Sequence, residues 1–251
     1  MKAIAEIKEE IGQLTPGNYE EIYRLYEEDK RAGVRKLISK CRKKDEALEK
    51  EKQRMQVMMQ YEKKYEHLGC ICGIDEAGRG PLAGPVVAGA VILPRDCDIL
   101  YLNDSKQLSA KKREELYEII MEKAVAVGVG MASPARIDEI NILQATYEAM
   151  RQAVSRLGTV PQVLLNDAVT IPQITIPQVP IIKGDAKSAS IAAASIIAKV
   201  TRDRMMMDYD ALMPQYGFAS NKGYGSAAHI AAIREFGPSP IHRTTFIKKF
   251  V

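Results

Sequence analysis

The chain has 251 residues, 27% of them charged and 46% hydrophobic, with a formal net charge of +4. That length accommodates one or two domains whose core needs no disulfide staples. No apolar run approaches the ~18 residues of a membrane span, and the acidic N-terminus MKAIAEIKEEIGQL lacks the apolar stretch of a secretory signal, so a cytoplasmic protein with no membrane partner is expected.

Residues 1–68 are charge-dense and helix-prone, with almost no strand signal. Asn18 is placed to cap a helical stretch running to Lys44, with Glu20 and Glu21 in its first turn. Gly33 is placed to divide that stretch, and residues 45–67 read as a further charged helix. Arg31, Arg35, Lys36, Lys40, Arg42, Lys43 and Lys44 follow one another with no acid between them. Such a cluster either contacts phosphates or is simply a solvated helix face.

From residue 70 the texture changes. CICGIDE reads as a strand, and PVVAGAVIL as its antiparallel partner, because the link is too short for a parallel crossover. Ser109 caps a helix, SAKKREELYEIIMEKA, and AVAVGVGM is a third strand. Ser133 as N-cap and Pro134 at the first helical position open one long helix to about Leu157. PQVLLNDAV is a fourth strand ending at Asp167, and QVPIIKGD a short fifth ending near Asp185. A long Ala/Ser-rich helix follows, from KSAS to DALM, then a shorter one from about Ser226 to Glu235. This order predicts an α/β fold, with a mixed central sheet flanked by helices over residues 69–251 and a helical N-terminal extension over 1–68. The cysteines Cys41, Cys70, Cys72 and Cys97 read as small buried hydrophobes rather than as a disulfide framework.

Asp75 and Glu76 end the first strand, and a loop rich in glycine and proline, GRGPLAGP, follows them. The first, fourth and fifth strands each end in an acid, and the ligand crevice of an open α/β sheet lies outside the carboxyl ends of its strands. Asp75, Glu76, Asp167 and Asp185 are therefore candidate site residues. Neighbours on a strand face opposite ways, so the turn after Glu76 would have to swing it back toward Asp75. Carboxylates gathered in one place repel unless a cation intervenes, and a hard cation, Mg²⁺ or Mn²⁺, suits an all-oxygen donor set. Two such ions suit phosphodiester hydrolysis. The plainer reading makes Asp185 a helix cap and Asp104 a turn former. Closely spaced glycines let the main chain approach a sugar-phosphate backbone, and Arg79 between them can reach a phosphate. Nothing supports a serine nucleophile, since no G-x-S-x-G is present. His67, His229 and His242 have no metal-ligand spacing; His229 reads as structural, with His242-Arg243 near a phosphate as a lesser alternative.

The segments GIDEAGRGPLAGPVVAGAVIL, LNDSKQLS, INILQATYEAM, LLNDAV, KGDAKSASIAAASIIAKVTRDRMM, YGFASNKGYG and HRTTF run across residues 70–246. With them the chain closely resembles bacterial ribonuclease HII, of the type 2 ribonuclease H family. The resemblance implies a ribonuclease H-like fold and a Mg²⁺- or Mn²⁺-dependent endonuclease acting on RNA–DNA hybrid and on duplex DNA holding a single ribonucleotide. It implies incision 5′ to that ribonucleotide by two-metal hydrolysis, leaving 3′-hydroxyl and 5′-phosphate ends. By motif, Asp75, Glu76, Asp167 and Asp185 would be the catalytic metal ligands. Gly78, Arg79 and Gly80 would sense the 2′-hydroxyl at the RNA–DNA junction, which a main-chain loop can do without regard to base. Tyr224 would pack on the deoxyribose beside it, and Lys106 would contact a phosphate. Asn166 stands where an apolar residue is more usual, beneath the third ligand. A monomer is expected. The alternative is a nucleic-acid-binding module with structural carboxylates and no turnover.

Overall fold

The computed structural model describes residues 2–251. The chain divides into two compact units, Met1–Val57 and Met58–Val251.

The first unit is helical. It holds α1 (Ile4–Gly12), α2 (Glu20–Tyr26) and nearly all of α3 (Ala32–Met58). Ile7, Ile11, Tyr19, Ile22, Val34, Ile38 and Cys41 form a core of its own. Asn18 does not cap α2: its amide donates to Thr15 Oγ1, and Tyr19 occupies the cap without a side-chain bond. The break between α2 and α3 falls before Gly33. Asp29 makes it, by accepting from the backbone N–H of Arg31, a local bond that competes with helix. Gly33 instead sits inside the first turn of α3, where a Cβ would lie 2.8 Å from Ile4 Cδ1. No break separates residues 32–44 from 45–58; one helix runs through both.

The second unit opens with α4 (Gln60–Tyr65) and then the sheet strands β1 (Ile71–Ala77) and β2 (Val86–Ile92). There follow α5 (Ala110–Lys123), β3 (Ala126–Ala132), α6 (Pro134–Ile140), α7 (Ile142–Ser155), β4 (Val163–Asp167) and β5 (Gln178–Ile181). The chain closes with α8 (Ala189–Leu212), α9 (Phe218–Asn221), α10 (Ala227–Phe236) and α11 (Thr244–Ile247). The sheet order is β3-β2-β1-β4-β5. The β1–β2 and β2–β3 pairs are antiparallel, and the β1–β4 and β4–β5 pairs parallel. Ser109 and Ser133 cap α5 and α6 as expected.

Two expectations fail here. The long helix from Ser133 breaks at Asn141, whose φ of 67° leaves the helical region while its side chain accepts from the N–H groups of Leu143 and Gln144 and restarts the helix as α7; Asn tolerates that conformation better than most residues. The fifth strand ends at Ile181, four residues before Asp185, because Lys183 turns left-handed at φ 56°.

α7 covers one face of the sheet and packs with Cys72, Ile74, Val86, Ala88, Ala90 and Leu164 through Ala149, Met150 and Ala153. α8 covers the other, and its Ala/Ser-rich surface lets it approach closely. A Cβ on Gly73 of β1 would lie 2.1 Å from the Ser190 carbonyl carbon. Among the described residues no helix is long and apolar enough to cross a membrane.

Candidate metal centre and main-chain loop

Ile74 and Asn166 are register partners in the parallel β1–β4 pair. The next residue on each strand, Asp75 and Asp167, therefore stands at the same level on the carboxyl edge. Asp185 arrives from a different element, a 3-10 turn at Gly184–Ala186. The chain reaches that turn through three non-glycines at positive φ, Ala168 at 55°, Gln173 at 66° and Lys183 at 56°, conformations that recur at functional sites. One carboxylate oxygen from each of Asp75, Asp167 and Asp185 lies within 4.8 Å of the other two. Gly184 N–H donates to Asp167 Oδ1 at 2.7 Å and ties the turn to β4.

Glu76 is not among those three. It is the next residue of β1, level with Ala88 of β2, and its Oε1 pairs with Arg79 at 3.3 Å. Asp185 does not cap α8, which Ser188 caps by accepting from Ile191 N–H. Asp104 does form a turn, accepting from Lys106 N–H, and its charge also acts on Asp185.

The electrostatics follow from this crowding. Burial, then the charge of Glu76, raises Asp75 well above the usual carboxylate range, and the Ser195 hydroxyl offsets part of that. Burial, then Asp104 and Asp167, pushes Asp185 up to about 6. Glu76 is raised by burial against the opposing pull of Arg79. Burial alone would lower the Lys106 ammonium, but Asp104, Asp75 and Asp185 carry it above its ordinary value. Three carboxylate oxygens gathered within one ion's reach fit a hard divalent cation.

Beside them lies a groove of about 420 Å³ lined by Glu76, Gly78, Arg79, Gly80, Lys106 and Tyr224, among others. Its wall is the loop after β1. Gly78 has φ 93°, and a Cβ there would lie 2.1 Å from Arg202 Nε. Arg243 is fully buried and donates to the carbonyls of Gly78 (2.5 Å), Arg79 (2.9 Å) and Gly84 (2.9 and 3.0 Å). Arg202 donates to Pro85, Ala83 and Lys222. Leu82 N–H donates to the Gly223 carbonyl, so the loop is also tied to the residue before Tyr224. Tyr224 is 48% exposed, and a Cβ on Gly80 would lie 3.8 Å from its ring.

His242 and Arg243 are thus not phosphate contacts: both are buried. His229 is structural, with Nδ1 2.8 Å from the Tyr224 carbonyl. Asn166 is buried and donates to Val169 O and Gln178 Oε1, which fixes the turn after β4. Arg202, Ser195 and the holding role of Arg243 escaped sequence reasoning. The partners of both arginines are main-chain carbonyls, which leave no mark in a sequence.

The ribonuclease HII family model matches residues 72–249, and the ribonuclease HII N-terminal domain model matches residues 3–66. Ribonuclease HII of Lachnoclostridium phytofermentans is 64% identical over 245 residues, covering 98% of this chain and 96% of that protein. Ribonuclease HII of Clostridioides difficile is 49% identical over 255 aligned positions, covering 100% and 99%. Among solved structures, ribonuclease H2 from Pyrococcus horikoshii OT3 superposes with a TM-score of 0.60 at 30% identity, over 72% of this chain and 96% of that one. Ribonuclease HII of Archaeoglobus fulgidus, solved in complex with PCNA, gives 0.59 at 28% identity, over 71% and 94%. The mixed sheet and its flanking helices are thus a ribonuclease H-like fold, the protein is an endonucleolytic hydrolase of the ribonuclease H kind, and the chain belongs to the ribonuclease HII family.

Proposed function

We propose that this chain hydrolyses the RNA strand of RNA–DNA hybrids and incises duplex DNA 5′ to a single embedded ribonucleotide, leaving 3′-hydroxyl and 5′-phosphate ends. The observation that carries this reading is the junction of two features: the Asp75–Asp167–Asp185 cluster and the main-chain loop held beside it by Arg243. Asp75, Asp167 and Asp185 would hold Mg²⁺ or Mn²⁺, with Glu76 a fourth ligand next to them on β1. When bound, one or two such ions supply the positive charge that offsets the negative charge of the scissile phosphate.

The chain's own residues do the rest. Lys106, beside the acids, attracts a phosphate of the strand to be cut. The Gly78-Arg79-Gly80 main chain, held by Arg243 through the Gly78 and Arg79 carbonyls, meets the sugar and accepts a 2′-hydroxyl in place of a bare deoxyribose carbon. The half-exposed Tyr224 ring packs on the sugar at the DNA side. We read residues 1–68 as a helical extension of the catalytic domain at 69–251, with its last turns, α4 onward, packed in the sheet-bearing unit, and the protein as a monomer.

One assay tests the reading. The protein is incubated with duplex DNA holding one ribonucleotide, with all-DNA duplex and with all-RNA hybrid strand, each with Mg²⁺, Mn²⁺ or EDTA. Metal-dependent incision 5′ to the ribonucleotide, with the all-DNA duplex intact, is expected. Binding without incision would leave a nucleic-acid-binding module, and cutting of the all-DNA duplex would remove the junction reading.

A further inference from the structure

Glu62 lies in α4, nine residues before β1, and only 7% of it is exposed. Its Oε1 accepts three hydrogen bonds, from Ser188 Oγ at 2.5 Å, Ser190 Oγ at 2.6 Å and Ser190 N–H at 2.9 Å. Ser188 and Ser190 are fully buried. From there the bonds continue inward. Ser188 N–H donates to the Gly184 carbonyl at 2.8 Å, and Gly184 N–H donates to Asp167 Oδ1 at 2.7 Å. Asp185 is the next residue. A continuous path of hydrogen bonds thus joins Glu62 to the turn that carries one aspartate and to the carboxylate of another.

We infer that Glu62 is a positioning residue for the aspartate cluster, an inference that rests on the metal-site reading above. Three observations carry it. α8 already has a cap, because Ser188 Oγ accepts from Ile191 N–H; a carboxylate added at that helix start exceeds what capping needs. Glu62 Oε2 is buried with no hydrogen-bond partner among the described residues, an unfavourable arrangement that calls for an explanation other than stability. And the start of α8 is gripped from both sides, by Glu62 and by β1, where a Cβ on Gly73 would lie 2.1 Å from Ser190. Glu62 falls within residues 3–66, matched by the N-terminal-domain family model, yet it packs in the unit that holds the sheet. The last turns of that family segment therefore belong to the scaffold of the site.

The test uses the full chain. Glu62→Ala, Glu62→Gln and Ser190→Ala are compared with the unaltered protein by calorimetric titration of Mn²⁺ without nucleic acid, by steady-state hydrolysis and by thermal melting in EDTA. Ile120→Ala, in the buried face of α5, serves as a destabilised control. Glu62→Ala should weaken Mn²⁺ binding by roughly tenfold or more, as loss of a partner behind a ligand does, and lower kcat with little change in KM. Glu62→Gln, whose amide oxygen still accepts from the serines, should recover most of both, and Ser190→Ala should fall between. Wild-type Mn²⁺ affinity and kcat in Glu62→Ala, whatever its melting temperature, overturns the inference. So does an equal loss of Mn²⁺ affinity in Ile120→Ala. Should Glu62→Ala fail to fold, Ser190→Ala decides, and unaltered Mn²⁺ affinity there overturns the proposal. If Asp75→Asn binds Mn²⁺ as tightly as the unaltered protein, the metal-site reading itself fails.

Discussion

His229 Nε2 lies 2.9 Å from His242 Nε2 in a fully enclosed pair, and the neighbours fix which ring carries which proton. His229 Nδ1 faces the Tyr224 carbonyl and must donate, so its Nε2 accepts. His242 Nε2 therefore donates, and its Nδ1 accepts from Ser239 N–H at 2.9 Å. Both rings are neutral, and a further proton on either would meet an N–H already in place.

Acid should therefore weaken the fold through this pair. Burial, then the neighbouring His229, lowers His242 from its ordinary 6.5 to about 4, and burial lowers His229 as well. Between those values the unfolded chain takes up protons that the folded chain refuses. The contribution is fully present above pH 6.5, declines as pH falls and levels off near 4. A loss on the order of 1–3 kcal/mol is expected across that window. Melting temperatures at pH 7 and pH 5 check it: His242→Gln, with a lower baseline, should lose less on acidification than the unaltered protein.

Arg243→Lys should disable the loop while sparing the acids. An ammonium cannot reach three carbonyls spread over Gly78, Arg79 and Gly84, and each buried carbonyl left unpaired costs about 1–3 kcal/mol. The expected result is at least a tenfold fall in kcat/KM on a single-ribonucleotide duplex, with Mn²⁺ affinity near that of the unaltered protein. Equal activity on that substrate would remove the holding role. Tyr224→Ala should reduce the preference for single-ribonucleotide over all-RNA hybrid substrate, measured in the same assay.

Gly73→Ala forces a methyl into the backbone of α8, which cannot move aside as a side-chain tip can. A destabilisation of about 1–3 kcal/mol is expected from such overpacking, read as a lower urea midpoint. Gly12→Ala, at the end of α1 where nothing lies within 4 Å, should go the other way by some tenths of a kcal/mol.

The extension's basic cluster gives a salt test. Arg31 and Arg42 are paired with Asp29 and Glu27, whereas Lys36, Lys40, Lys43 and Lys44 are exposed. Replacing the four lysines by glutamine should flatten the dependence of log Kd on log salt by about one unit for each phosphate no longer neutralised. An unchanged slope in duplex-binding titrations would make the cluster a solvated helix face.

What the sequence disclosed followed from side-chain chemistry and short range. The β1–β2 hairpin could be read from its apolar runs and short link, and Asp75 and Asp167 from their places at strand ends. Asp185 was found for a partly mistaken reason, because a lysine in a left-handed conformation gives no signal and the strand before it is four residues long. The break at Asn141 was likewise hidden, since Asn is also tolerated inside helices. Glu62 and Arg243 lay beyond reach: one bonds to serines more than a hundred residues away, the other to carbonyls that every residue possesses.

The grip of Arg243 on the Gly78 carbonyl spans 165 positions of chain. At translation rates of ~5–20 residues per second, the arginine is made roughly 8–33 s after the loop it holds. During that interval the nascent protein already contains Asp75, and later Asp167 and Asp185, but no guanidinium to fix the loop carbonyls. The guanidinium that holds the loop is thus supplied only after the acidic residues have been made.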